Sequence, residues 1–519
     1  MIFSPDPAAW IESAARNQPN KPFLKTPDGR ELSYAALLEQ SGRYGAALMR
    51  QGVVCGDRIA VQVDKSAEAV LLYVACLRIG AIFVPINVAN TPTEVDFFWC
   101  DCRPRLAVIR PADRAVLEPS AARAGVDCVE TLGEQGDGSL IELVRRSDDG
   151  TPPLGHVNAA APAAIVYTSG TTGRSKGAVL SRANLGSNAA ALVEAWHFTG
   201  DDVLLHTLPL FHIHGLFVAI NTALAAGACI LLLPRFDVTS VLKSLSESTV
   251  YMGVPTHYTR LLRELGLNRA VSAGMRLFVS GSAPLLSETH HEFQRRTGHA
   301  ILERYGMTET LINTSNPYDG ARKPGAVGKP LPGIKIRLAR DPTAAGADAD
   351  VQDDATGALE VQGPNVFVGY WQDLEKTQRE FTADGWFKTG DLGRIDGDGY
   401  IYIIGRAKDL VISGGYNVYP KEVETELDAL SGVLESAVFG VPHPDFGEGV
   451  TAVVVSEPAA VLSEAGLISS VQARLAKYKV PKRILFIDEL PRNPMGKVQK
   501  NVLRALYAAL YTVNGATRQ

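Results

Sequence analysis

The sequence predicts an α/β protein. A large N-terminal domain of α/β lobes carries a small antiparallel, β-barrel-like subdomain, and a small α+β C-terminal domain follows. Three patterns in the 519 residues carry this reading. Helical periodicities alternate with short β-branched runs over roughly the first four hundred residues, the mark of mostly parallel sheets. From about Lys323 to Ile404 that alternation gives way to short strands and frequent turns. Beyond Gly405-Arg406-Ala407-Lys408-Asp409 comes a compact segment of roughly 110 residues. A chain of this length exceeds one hydrophobic core, so at least two domains are expected, here 1–405 and 406–519.

In the first part the strand-like runs are Ile59–Val63, Ile82–Pro85, Leu106–Ile109, Ile165–Tyr167, Cys229–Leu233 and Leu277–Val279. The apolar stretch Leu216–Leu233 is long enough to suggest a membrane span. Asn221 and Thr222 interrupt it, Gly227 breaks it and Pro234 closes it, so it reads as a buried helix over about 215–226 and then a core strand. Next come Gly325–Val327, Ile334–Leu338, Leu359–Val361 and Tyr400–Ile404 as short strands, with 341–357 a polar exposed loop. In the last segment Pro420–Leu430 and Leu467–Lys477 are helical, and Glu435–Val441 and Thr451–Val455 are strands. Between Arg474 and Arg504 stand nine Lys/Arg and two acids, either a solvated basic face or one that meets phosphates.

Apolar residues make up 46% and charged residues 21%, ordinary for a globular enzyme. A net charge of −5 argues against non-specific nucleic-acid binding. Six cysteines are too few for a disulfide framework, which suits a reducing, cytoplasmic setting. The N-terminus lacks the basic start and apolar run of a signal peptide, and no membrane insertion is expected.

Residues Tyr167–Gly177, YTSGTTGRSKG, form the strongest motif. Gly170, Gly173 and Gly177 allow backbone amides to approach a ligand closely, Ser169, Thr171 and Thr172 add hydroxyl donors, and Lys176 adds a positive charge. The pattern suits polyphosphate oxygens but is not a Walker A loop. It resembles the phosphate loop of the adenylate-forming superfamily, which includes acyl-CoA synthetases, amino-acid adenylation domains and beetle luciferases. That family usually has proline where this chain has Ser175, a change in loop stiffness more than in donor chemistry. Five more motifs follow in the family's order: Ser280-Gly281-Ser282-Ala283-Pro284, Tyr305-Gly306-Met307-Thr308-Glu309, Thr389-Gly390-Asp391, Gly405–Asp409 and Pro491–Lys497.

The resemblance implies a two-step reaction using ATP, Mg²⁺ and CoA. A carboxylate attacks the α-phosphate and releases pyrophosphate, then a thiol displaces AMP. It also implies roles for particular residues. Lys497 serves adenylation, with Thr308, Glu309 and Lys176 as further catalytic groups, and Thr168, Ser169, Gly170, Thr171, Thr172, Gly173 and Lys176 hold the β- and γ-phosphates. Ser282, Ala283, Pro284, Glu303, Tyr305, Gly306 and Met307 line the nucleotide, whose ribose meets Asp391 and Arg406. Glu309 and Thr172 hold the metal. Lys408 is the hinge, near 406–409, on which a mobile C-terminal domain swings, and Ser413, Gly414 and Gly415 line the CoA tunnel.

The acid depends on a departure from the family. Most relatives carry a small or apolar residue before the YG of this motif, where this chain has Arg304. In an acyl pocket, Arg304 would be unpaired beside a fatty or aromatic acid and well paired beside a second carboxylate. Outside the pocket it would pair with Glu303 or another acid. Leu302–Gly320, Leu208–Leu216 and Gly253–Leu262 resemble the malonyl-CoA synthetase branch, which implies malonate, with methylmalonate as a further candidate. Arg260 is either a second carboxylate partner or a helix-surface residue. His212 is either a pocket wall or a packed core histidine. An enzyme that activates another short acid, or loads a carrier protein, is the alternative, and a monomer or weak homo-oligomer is expected.

Overall fold

The computed structural model describes residues 6–147, 157–168, 175–339, 356–493 and 496–511. By density of internal contacts it divides into two units, residues 1–335 with 361–387, and residues 336–360 with 388–519. The four-stranded sheet, expected with the N-terminal domain, therefore groups with the C-terminal residues.

The first unit holds two large sheets. One has seven strands in the order Gly369–Tyr370, Lys176–Ser181, Pro162–Thr168, Ile82–Pro85, Arg58–Gln62, Leu106–Ile109 and Cys128–Thr131. From Pro162–Thr168 onward neighbouring strands are parallel, while the first three are joined antiparallel. Its inner strands Ile82–Pro85 and Leu106–Ile109 are buried at every residue, as a sheet covered on both faces requires. The helix Ala67–Ile79 is buried at nearly every position. Ser66 caps its start, and Gly80, at φ 74°, ends it in the left-handed conformation that glycine adopts without a Cβ clash.

The other sheet has nine strands. Its parallel centre runs through Leu302–Met307, Leu277–Ser280, Val250–Gly253, Val203–His206, Cys229–Leu232 and Pro22–Lys25. The expected helix over 215–226 is present as a π-helical turn, His214–Ile220, continued by the α-helix Asn221–Ala226. Only glycine fits at position 215 of that turn, because a Cβ there would lie 2.1 Å from Pro209 O. Among the described residues no helix is long and apolar enough to cross a membrane.

Two sequence expectations need correction. Gly325–Val327 is a turn and irregular chain, not a strand. Gly325 sits at φ 78° and donates its N–H to Glu303 Oε1 at 3.0 Å, which leaves no ladder partner for it. The helix expected over Leu467–Lys477 spans Glu464–Gln472 instead. Ser463 caps it four residues before the apolar pattern begins at Leu467, and the chain turns at Ala473–Arg474. The polar loop 341–357 lies almost wholly outside the described residues.

The second unit has a four-stranded sheet ordered Lys335–Ala339, Thr356–Gln362, Phe387–Ile395 and Ile401–Arg406. Its second sheet pairs the long strands Val433–His443 and Gly447–Ser456 antiparallel, with Val411–Ser413 and Arg483–Phe486 flanking Gly447–Ser456. Strand alternation fills both faces. Val438, Val450, Ala452 and Val454 pack on Val423, Leu427, Leu467 and Val471, while Ala437, Phe439, Val441 and Val453 pack on Leu490 and Leu503.

Candidate active site

The strands that flank the phosphate motif, Pro162–Thr168 and Lys176–Ser181, pair antiparallel. Thr168 ends one strand, Lys176 starts the next, and these two residues are paired. Ser169, Gly170, Thr171, Thr172 and Gly173 lie outside the described residues. Lys176 Nζ stands 5.5 Å from the centre of the Tyr370 ring. Partial desolvation and the neighbouring Lys376 ammonium hold the Lys176 amine below the usual lysine range. Thr308 and Glu309 occupy the turn between the strands Leu302–Met307 and Leu311–Ser315. Glu309 is buried, and its carboxylate accepts from the Tyr370 hydroxyl at 3.0 Å. Gly306 is obligatory in this hairpin, because a Cβ would lie 1.8 Å from Leu311 O.

Among the described residues no three His, Cys, Asp or Glu cluster as a metal cage. The oxygens of Thr308 and Glu309 still fit Mg²⁺, which takes one or two protein carboxylates and fills its remaining positions with phosphate and water. Glu309 would hold the ion, and the ion would neutralise charge on the polyphosphate.

Arg304 and Glu303 are neighbours on a strand and point to opposite faces. Glu303 accepts from Gly325 N–H and lies 3.9 Å from His290 Nδ1. Arg304 is buried at 4% exposure and lies over Gly281, where a Cβ would sit 2.3 Å from the guanidinium carbon. No carboxylate pairs with Arg304 among the described residues, and its Nε and Nη2 have no hydrogen-bond partner. Burial lowers its pKa to about 9, with the nearby Tyr258 opposing.

Beside it, His214 Nδ1 bonds Ser282 Oγ at 3.2 Å, while His214 Nε2 and Ser280 Oγ are buried without partners. Ser282 is held at φ 70°, a strained conformation for a non-glycine residue. Burial, then the Arg304 charge, keeps His214 well below the usual histidine range. His212 is half-buried and its Nδ1 accepts from His214 N–H at 3.4 Å. Arg260 is exposed on the helix Pro255–Leu262. From the same helix His257 stacks on Phe236 at 3.9 Å, and burial, then Arg260 and Lys65, lowers its pKa to about 3. Thus Arg304, Gly281, Ser282 and His214 are brought together, and Arg260 stands at the surface.

In the second unit Asp391 is buried and ion-paired to Arg406 at 2.6 Å, across the register of their two strands. Lys408 lies in the 3₁₀ turn Ala407–Asp409. Lys497 is exposed as a residue, yet its ammonium sits in a crowded neighbourhood. Desolvation and the charges of Arg406 and Lys408 lower its pKa, against Asp391 and Asp409. Asn493 fixes the turn that presents it, with its side chain accepting from Lys497 N–H at 2.9 Å. Ser413, Gly414 and Gly415 lead into a hairpin whose central residues Gly414 and Gly415 have φ 59° and 82°, the two positive angles of a type I′ turn.

Tyr370 escaped sequence reasoning. Its only signal was the run Gly369-Tyr370-Trp371, which has no phosphate-loop character of its own.

Together these features define a nucleotide-activating enzyme, and comparison with known proteins agrees. The sequence pattern of the AMP-binding enzyme family matches residues 11–371, that of the AMP-binding enzyme C-terminal domain matches residues 422–497, and the chain belongs to this adenylate-forming family. Indoleacetate–CoA ligase from Aromatoleum aromaticum is 35% identical over 96% of this chain and 98% of its own. Malonate–CoA ligase from Arabidopsis thaliana is 34% identical over 95% of this chain and 87% of its own. The crystal structure of ATP-bound MatB from Rhodopseudomonas palustris superposes with a TM-score of 0.93 at 50% identity, covering 97% of this chain and 99% of that one. The chain is an AMP-forming acid–CoA ligase with ATP and CoA as co-substrates, and Mg²⁺ is typical of its family.

Proposed function

We propose that this ligase activates malonate, with methylmalonate as a second acid of the same class. One malonate carboxylate oxygen attacks the α-phosphorus of ATP and pyrophosphate leaves. The thiol of CoA then attacks the acyl carbon, loses its proton and expels AMP. Arg304 is the observation that carries the reading. A buried guanidinium with two unpartnered nitrogens and no acid beside it costs several kcal/mol unless a ligand supplies the counter-charge. The distal carboxylate of a short diacid supplies it, and a monocarboxylate leaves it unmet. The malonate–CoA ligase relative is in keeping with this, whereas the indoleacetate–CoA ligase relative acts on a monocarboxylate.

In the same proposal Lys176 steadies the β- and γ-phosphates, Glu309 holds Mg²⁺ and Asp391 receives the ribose hydroxyls. Lys497 stabilises charge developing at the α-phosphate. The chain pivots near Lys408 between the two steps, and the protein works in a reducing, cytoplasmic setting. The test is AMP formation with malonate, acetate, hexanoate and benzoate, each with CoA. Malonate is expected to lead, and preference for any monocarboxylate would sink the reading.

A further inference from the structure

Residues 365–371 stitch together the two segments assigned to metal and polyphosphate. On one side Asn365 Nδ2 donates to Thr310 O at 2.6 Å, and Phe367 N–H donates to Glu309 O at 2.8 Å. On the other, Val368 N–H donates to Val179 O at 2.9 Å and Trp371 N–H to Gly177 O at 2.7 Å. Tyr370 pairs with Ala178, two residues beyond Lys176. Its ring lies under the Lys176 ammonium, 5.5 Å from its centre, and its hydroxyl donates to Glu309 Oε1 at 3.0 Å. Phe367 meets the Tyr370 ring edge-on at 5.0 Å, and Tyr370 N–H donates to Thr377 Oγ1 at 2.9 Å, so the ring is fixed from both backbone and side chain.

We infer that Tyr370 is a positioning residue that couples metal binding at Glu309 to polyphosphate binding at Lys176. The inference rests on the roles proposed above for those two residues. Its hydroxyl orients the Glu309 carboxylate proposed to hold the ion. Its ring face holds the Lys176 ammonium by cation–π attraction. A hard cation that draws on Glu309 therefore finds the carboxylate already aimed beside the lysine that meets the same phosphates.

The test is calorimetric titration of the full-length protein with α,β-methylene-ATP, with Mg²⁺ present and with EDTA, and with AMP as a ligand lacking β- and γ-phosphates. Tyr370→Phe removes the hydroxyl and keeps the ring. It is expected to shrink the Mg²⁺-dependent gain in affinity roughly three- to ten-fold, leaving AMP binding and the affinity in EDTA unchanged. Tyr370→Leu removes both and is expected also to weaken analogue binding in EDTA severalfold. If that variant does not fold, Tyr370→Phe alone decides the coupling. A full Mg²⁺ gain in Tyr370→Phe overturns the inference, as does loss of its AMP binding, which would mark a fold defect. Glu309→Gln separates the two levels. If it too keeps the full gain, the metal role of Glu309 fails. If it loses the gain while Tyr370→Phe keeps it, only the coupling fails.

Discussion

Arg304 and the basic stretch from Arg474 to Arg504 use the same chemistry in opposite ways. Among the described residues, six of the nine cations in that stretch are ion-paired within their own unit: Arg474 to Glu426, Lys479 to Glu422, Arg483 to Glu464, Arg492 to Glu435, Lys500 to Glu424 and Arg504 to Asp409. What sequence density suggests as a phosphate-seeking face is largely an internal network, with acids contributed from elsewhere in the chain. Arg304 has Glu303 beside it in sequence, yet it is buried with no acid paired to it among the described residues. Function follows the missing partner more closely than the local count of charges.

Lys497, in the basic stretch but outside those six pairs, gives the largest expected break in this comparison. Lys497→Ala should slow adenylate formation on the order of a hundred- to a thousand-fold. Thioester formation from pre-formed acyl-adenylate and CoA should be nearly unchanged, and pyrophosphate release and acyl-CoA formation measured separately would check both.

Arg304→Met should lower kcat/KM for malonate by on the order of a hundred-fold, because the distal carboxylate would then be buried unpaired. Its melting temperature should hold or rise, since a buried uncompensated charge has been removed. A large fall in melting temperature would mean that Arg304 has a structural partner after all.

The same arginine sets a pH dependence. Its folded pKa, about 9, lies below the value of an ordinary, solvated arginine. Between those values the unfolded chain binds the extra proton, so the Arg304 contribution to stability rises as pH rises through that window. Malonate recognition runs the other way and should weaken as pH climbs past about 9. Profiles of kcat/KM for the wild type and Arg304→Met, overlaid, should differ in that limb.

The smallest effect is expected at a paired cation. Arg483→Met breaks a half-exposed ion pair to Glu464, at 2.8 Å, and should shift stability by about 1 kcal/mol or less, with activity retained. Chemical denaturation and the malonate assay check it.

Legibility in the sequence tracked contact range. The strands Ile82–Pro85 and Leu106–Ile109 were readable to the residue, because a fully buried strand is a continuous apolar run bounded by turns. Gly325–Val327 misled because a glycine followed by two apolar residues is also what a tight turn over a buried Glu303 needs. The helix at Glu464–Gln472 was placed late, since its start is set by the Ser463 cap rather than by the apolar pattern that located it. Within the candidate site, Arg304 is legible as an arginine directly before the Tyr305-Gly306 of its motif. That Glu303 faces away toward Gly325 was not readable, because it depends on which face of a nine-stranded sheet each residue occupies.

By itself the sequence determined the class of chemistry. Hydroxyl- and glycine-rich turns, a carboxylate turn and a lysine turn stand in one order, and their functional groups are fixed by residue type. Only the tertiary structure decided which charges are satisfied. It set Arg304 over Gly281 beside His214 with no acid paired to it among the described residues, and it placed Tyr370 between Lys176 and Glu309. The physical reason is that pairing is a matter of distance in space. A charge's partner can lie a hundred residues away, where no local pattern records it.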